Sequence, residues 1–182
     1  MRYAALLRGI NVGGNKKVSM AELRDFAAKL GLDDPRTLLQ SGNLVFSSKT
    51  TAQKLESMLE METKKRFALE TRYLLRTADE WQSVIAANPF PDAAVRDPSH
   101  LVVMFFRDAP APRSVKALQA AIVGREAVRA IGRQAYLTYP DGIGDSKLTL
   151  PMIEKALGTT GTGRNWNTVT KINGLLTNCR KH

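Results

Sequence analysis

The chain has one cysteine, Cys179, and two histidines, His100 and His182, among 182 residues. A single cysteine excludes an intrachain disulfide. So few ligand-type residues leave no His/Cys cluster with zinc spacing. No Ser-His-acid or Cys-His arrangement rises above the chance pairing any chain offers. His182 is the terminal residue, and His100 stands beside an apolar strand, where a histidine is more often structural than catalytic. No Asp/Glu cluster has recognisable ligand spacing, so no metal site is assigned. No apolar run approaches the roughly 20 residues that span a bilayer. No apolar stretch with a small-residue cleavage site opens the chain. The expectation is a soluble cytoplasmic protein with no membrane partner. The strands also lack the aromatic-rich motif of an RNA-recognition domain, which leaves that sheet-stacking mode unsupported.

What the chain has is basic charge, unevenly placed. The formal net charge is +10. Residues 1–48 carry seven Lys/Arg against four Asp/Glu, residues 49–112 nine of each, and residues 113–182 eleven against four. A basic surface attracts anions, whether nucleic acid, nucleotides or acidic proteins. Scattered surface lysines also serve solubility alone. The apolar content of 43% suits a globular protein with a real core.

Patterning predicts an α+β fold. Arg2–Arg8 reads as a strand, apolar on both faces and therefore central. Ser19-Met20-Ala21-Glu22 matches a capping box. The helix behind it carries Met20, Leu23, Ala27 and Leu30 on one stripe and stops at Gly31. Arg36–Gln40 and Leu44–Ser48 are short strands around a Ser41-Gly42-Asn43 turn. A helix over Gln53–Phe67 and a strand over Thr71–Leu75 complete β-α-β-β-α-β, the ferredoxin-like order. A further helix, Asp79–Asn88, carries Trp81, Val84 and Ile85. Asn88-Pro89-Phe90-Pro91 marks a linker in which the prolines hold extended geometry.

The second half repeats this pattern at slight identity. Leu101–Phe106 is a strand followed by an arginine, Arg107. Ser114–Ile122 is a helix before Gly124. Val128–Ile131 and Ala135–Tyr139 form a hairpin, and Thr149–Leu157 is a short helix. Thr159–Arg164 is the weakest strand, because Gly161 and Gly163 make poor strand residues. Asn165–Cys179 is a last helix, which starts near Trp166 as its counterpart does near Trp81. Two ferredoxin-like halves are expected, 1–88 and 100–182, joined by a linker over 89–99 and packed as one compact unit.

Four stretches could carry chemistry. Gly9–Lys17 nearly matches a phosphate loop, but neither lysine precedes Ser or Thr, and the capping box delays the helix to Met20. A Walker loop runs straight into its helix, so that motif is rejected. What remains is a nine-residue loop with Asn11, Gly13, Lys16 and Lys17, and with Arg8 at its base. Long ordered loops are often functional; the competing reading is a plain β-α connection. Asp141–Lys147, with Ser146 and Lys147, suits an anion, although a hairpin-to-helix turn explains it equally. In Thr159–Thr168, Asn165 can cap the helix, and Arg164 and the threonines would face one point beside Trp166. Against this, Trp166, Val169, Ile172, Leu176 and Cys179 form a core stripe, which predicts a buried tryptophan. Gln40–Asn43 is expected at the end of the sheet opposite the Arg8 loop, so that the two loops do not share a site.

Taken together, LLRGINVGGNKKVSMAEL, LLQSGNLVFSS, the Trp81 to Asn88-Pro89-Phe90 segment, His100-Leu101-Val102-Val103 and RNWNTVTK resemble the domain of unknown function 1697 family. The resemblance runs along nearly the whole chain. It implies a bacterial-type cytoplasmic α+β protein built from two related halves, and no established activity, substrate or cofactor. The shared polar positions it implies are Arg8, Asn11, Gly13, Ser41, Gly42, Asn43, Ser146, Lys147, Arg164, Asn165, Trp166 and Thr168. The resulting expectation is a basic cleft near the Arg8–Lys17 loop and the Arg164–Thr168 helix start. It would take an anionic small molecule, such as a nucleotide, or nucleic acid. An uncharacterised enzyme and a structural or protein-interaction unit are the rival classes.

Overall fold

A run of apolar residues able to pack on both faces makes the first strand central, and the rest of its unit is assembled around it. In the computed structural model, residues 1–10 and 18–178 are described. β1 (Arg2–Leu7) is followed by α1 (Met20–Lys29), β2 (Asp33–Leu38), β3 (Asn43–Ser47), α2 (Ala52–Phe67), β4 (Tyr73–Thr77) and α3 (Ala78–Ala86). A short α4 (Pro91–Arg96) precedes β5 (Leu101–Phe106), α5 (Pro112–Ala121), β6 (Ala127–Ile131) and β7 (Gln134–Thr138). α6 (Leu150–Leu157), β8 (Gly161–Asn165) and α7 (Trp166–Thr177) close the chain. The sheets have orders β2-β3-β1-β4 and β6-β7-β5-β8, and every pairing is antiparallel. The expected α+β architecture of two similar halves is present.

The chain divides into two compact units, Met1–Ser83 with the segment from Lys171 onward, and Val84–Thr170. The division does not fall at the ends of the repeated halves. α3 starts in the first unit and ends in the second, and α7 does the reverse. Within the first unit, the Arg2 guanidinium donates to the Leu175 carbonyl at 3.0 and 3.2 Å, and Gln82 donates to Asn173 at 2.6 Å.

In the first unit, Tyr3, Ala5 and Leu7 of β1 pack with Leu23 and Phe26 of α1 and Leu55 and Leu59 of α2. The second unit packs Met104 and Phe106 against Leu118, Ile153 and Leu157 in the same manner. Ser19 forms the full capping box with Glu22 that its spacing predicts.

Several elements depart from the sequence expectation. The linker over 89–99 is partly helical rather than extended. Pro91 stands in the first turn of α4, where a missing N–H costs nothing. β4 starts two residues later than Thr71, which leaves Thr71 and Arg72 in the loop before it. Trp81 is the fourth residue of α3, whereas Trp166 is the first of α7, so the two tryptophans are not counterparts. The glycines of β8 are required by its neighbour. A Cβ at Gly161 would lie 2.6 Å from the Phe106 ring and 2.8 Å from the Phe105 carbonyl.

The β4 edge is closed by carboxylates. Successive outward amides of Tyr73, Leu75 and Thr77 donate to Glu60 (3.1 Å), Glu56 (2.9 Å) and Glu80 (2.8 Å). In β8 the Gly161 amide donates to Glu154 at 2.7 Å. Such bonds satisfy groups that would otherwise template pairing with another chain. Among the described residues, no helix is long and apolar enough to cross a membrane.

Three tyrosine hydroxyls are held inside these units. Tyr73 shares a 2.8 Å bond with Thr63, Tyr136 donates to the Val84 carbonyl at 2.6 Å, and Tyr139 donates to the Leu148 carbonyl at 3.0 Å. Burial pushes each phenol up to about 12 from an ordinary 10.0. The folded chain therefore keeps these protons where the unfolded chain loses them. Their stabilisation is complete below pH 10 and is lost as the pH rises to about 12. Each phenol removes about 1.4 kcal/mol per pH unit in that window. Urea midpoints should fall steeply there, with tyrosinate absorbance appearing together with unfolding. Ionisation of all the tyrosines while the chain stays folded would contradict this.

Candidate site at the end of the first sheet

The central position of β1 decides which loops meet. β3 runs antiparallel to β1 and pairs Asn43 with Leu6, and the Leu7 amide donates to the Gly42 carbonyl at 2.9 Å. β4 also runs antiparallel and pairs Tyr73 with Leu7, and the Arg8 amide donates to the Arg72 carbonyl at 3.0 Å. Both partners thus begin where β1 ends. Three segments converge there: the Arg8 loop, the β2–β3 turn and the loop before β4. This overturns the expectation that the Ser41–Asn43 turn lies at the opposite end from Arg8. An antiparallel neighbour must start beside the finish of the strand it pairs with.

Two contacts lock this end. The Thr71 hydroxyl donates to the Arg8 carbonyl at 2.8 Å. Gly42, at φ +74°, sits directly on the chain around Arg8: a Cβ there would meet Leu7 Cβ at 2.9 Å and would press still closer on Ile10. The buried Asn43 amide donates to the Leu38 carbonyl at 2.8 Å and to Ser41 Oγ at 3.1 Å, so Asn43 fixes its own turn. Ser41 stays exposed on that turn.

A cavity of about 640 Å³ opens beside these loops, lined by Arg8, Thr71 and Arg72 and by the α2 residues Ser57, Glu60, Met61 and Lys64, with Glu70. Arg72 pairs with Glu60 at 3.0 Å, and Lys64 pairs with Glu70 at 2.5 Å. The Lys64 hydrogen bond holds the Glu70 carboxyl below its usual range. Glu60 is committed twice, because it also accepts the Tyr73 amide. The lining carries three cationic and two anionic side chains. Asn11, Gly13, Lys16 and Lys17 lie outside the described residues.

The remaining sequence candidates belong to the second unit. Asn165 caps α7 as its position predicts: its Oδ1 accepts the Thr168 amide at 3.0 Å and the Thr168 hydroxyl at 2.8 Å. Trp166 is 8% exposed, in keeping with the core stripe, and its amide donates to Pro98 at 3.1 Å. Arg164 is 7% exposed and donates to Thr162 Oγ1 at 2.9 Å and to the Gly163 carbonyl at 2.8 Å. Burial pushes its guanidinium down to about 10, so it remains cationic at neutral pH. Ser146 and Lys147 line a different cavity, of about 570 Å³. There the Ser146 hydroxyl bonds Glu126 and accepts the Leu148 amide at 3.0 Å.

Lys64, Thr71 and Arg72 were missed by sequence reasoning. Their signal was the polar Glu70-Thr71-Arg72 segment at the start of a strand antiparallel to β1. Among the described residues, no group of His, Cys, Asp and Glu could hold a metal ion.

The family model for a protein of unknown function, DUF1697, matches residues 1–136. The chain belongs to the DUF1697 family. The matched DUF1697 region holds all three converging segments and ends inside β7. A solved structure, that of the conserved bacterial protein SP0830 from Streptococcus pneumoniae, is 25% identical with a TM-score of 0.77. That similarity covers 97% of this DUF1697 chain and 98% of the other. No curated protein matches.

The packing at Gly42 gives a direct test. Gly42→Ala combines a left-handed backbone with clashes against the Leu7 β-carbon and the Ile10 γ2 methyl, and the Leu7 β-carbon is fixed to its strand and cannot swing away as a side-chain tip could. A loss of about 2–4 kcal/mol is expected in denaturant unfolding. Wild-type stability in this variant would contradict the convergence of the two loops.

Proposed function

We propose that the first unit binds a phosphate-bearing or otherwise anionic ligand at the β1 end of its sheet. The observation that carries this reading is the convergence of loops that sets Arg8 beside Arg72 and Lys64 around one cavity. Arg8 is carried by a backbone held on both sides, through its own amide and through the Thr71 bond to its carbonyl. A guanidinium on a fixed base loses little freedom when it forks onto phosphate or carboxylate oxygens. Lys16 and Lys17 stand in the sequence between β1 and α1 and add positive charge to that stretch. Ser41 supplies an exposed hydroxyl on the adjoining turn.

Arg164 has a different role in this reading. Its bonds to the Thr162 hydroxyl and the Gly163 carbonyl favour a structural arginine that braces β8. Asn165 and Thr168 are likewise engaged with each other at the α7 cap. The reading includes a cytoplasmic setting, where phosphorylated metabolites and nucleic acids are found and where a lone cysteine stays reduced.

Thermal-shift and calorimetric titrations with inorganic phosphate, nucleotides, sugar phosphates and short oligonucleotides test the proposal. At least one should stabilise the chain. Arg8→Ala should weaken that ligand about tenfold or more, as expected for a lost charge-assisted hydrogen bond. Arg164→Ala should lower stability instead. A steep loss of affinity with salt would identify nucleic acid as the ligand class. Absence of stabilisation by every anion, or unchanged binding in Arg8→Ala, would sink the reading.

A further inference from the structure

We propose that the cavity at the C-terminal end of α5 is a second binding site, which takes a small apolar molecule bearing a cationic amine. The cavity measures about 570 Å³, within the roughly 300–1,000 Å³ common for small-molecule pockets. Ala121, Ile122 and Val123 form one apolar side, and Leu148 and Met152 form another. Val123 is 97% exposed, so its side chain meets solvent rather than the core of its unit. Filling such a cavity with an apolar body removes this surface from water.

The polar groups set the sign of the ligand. Glu126, Asp141 and Asp145 line the cavity against one cation, Lys147. Arg125 pairs with Asp141 at 2.6 Å, which leaves Glu126 and Asp145 as the carboxylates to be answered. Asp145 has no hydrogen-bond or ion-pair partner among the described residues. Glu126 is built into place. The Ser146 hydroxyl bonds it and is itself positioned by the Leu148 amide. That bond also holds the Glu126 carboxyl below its usual range, which keeps it anionic. Gly124 makes room for it, because a Cβ there would meet the carboxylate and would lie 3.0 Å from its Cδ. An ammonium can donate charge-assisted hydrogen bonds to these carboxylates, whereas a phosphate would be repelled. The site therefore differs in ligand charge from the one proposed in the first unit, and it does not depend on that reading.

Calorimetric titration of the full chain with tryptamine, tryptophol and indole-3-propionate isolates the charge on one ring system. Tryptamine should saturate one site and bind about tenfold tighter than tryptophol, and indole-3-propionate should not bind there. Asp145→Asn and Glu126→Gln should each erase the advantage of tryptamine over tryptophol. Ala121→Trp, which fills the cavity, should abolish both. Arg8→Ala should change neither, so failure here is distinct from failure of the anion site. Because Asp145 is exposed, its variant remains informative even if Glu126→Gln lowers stability. Amide shifts confined to residues 121–126 and 141–152 would locate the ligand. Absence of saturation, equal binding of tryptamine and tryptophol, or a preference that survives both charge variants would overturn the proposal.

Discussion

β1 lies between two antiparallel neighbours, and most of the first unit follows from that single constraint. Its side chains are buried on both faces, so it can occupy only the middle of a sheet. Its partners then both start where it finishes. The residue just after β1 is consequently surrounded by the turn before β3 and the loop before β4. Arg8 holds that position. Its setting owes less to its own loop than to the direction of strands far away in sequence.

The second unit repeats the backbone without repeating the side chains. The Phe106 amide donates to Arg133 as Leu7 does to Gly42, and Arg107 donates to Thr160 as Arg8 does to Arg72. A threonine contact is also present but shifted by one residue, with the Thr159 hydroxyl donating to the Asp108 carbonyl at 3.4 Å. Yet the connection after Arg107 holds Pro110 and no lysine, and Pro112 opens α5. The glycine that packs under the Arg8 loop is replaced by Arg133. A duplicated sheet thus supplies the same loop junction twice, and chemistry has diverged on top of it.

Local signals were legible in the sequence wherever their cause was local. The Ser19 capping box, the Asn165 cap, the buried Trp166 and the order of strands and helices all depend on residues a few positions apart. Pro91 misled because a proline both ends one helix and suits the first turn of the next. Gly161 and Gly163 read as weak strand residues until the Phe106 ring and the Met104 sulfur are set against them. The placement of the Ser41–Asn43 turn was the largest error. Strand direction is a long-range property, and no pattern within the turn reports it. Thr71 and Arg72 were overlooked for the same reason, since their importance comes from the strand end they face.

The last helix has a consequence for how the molecule is made. Arg2, at the start of β1, places its guanidinium on the carbonyl of Leu175 in α7, and Arg36 donates to the Asn178 carbonyl at 3.4 Å. On a ribosome the first sheet can pair its strands early, but it must wait until the elements of the second unit have been made before these carbonyls arrive. The order of translation and the order of completion are thus opposed. Of the two units, the one that begins earlier in the sequence is completed later, and a nascent chain arrested before α7 leaves it unfinished.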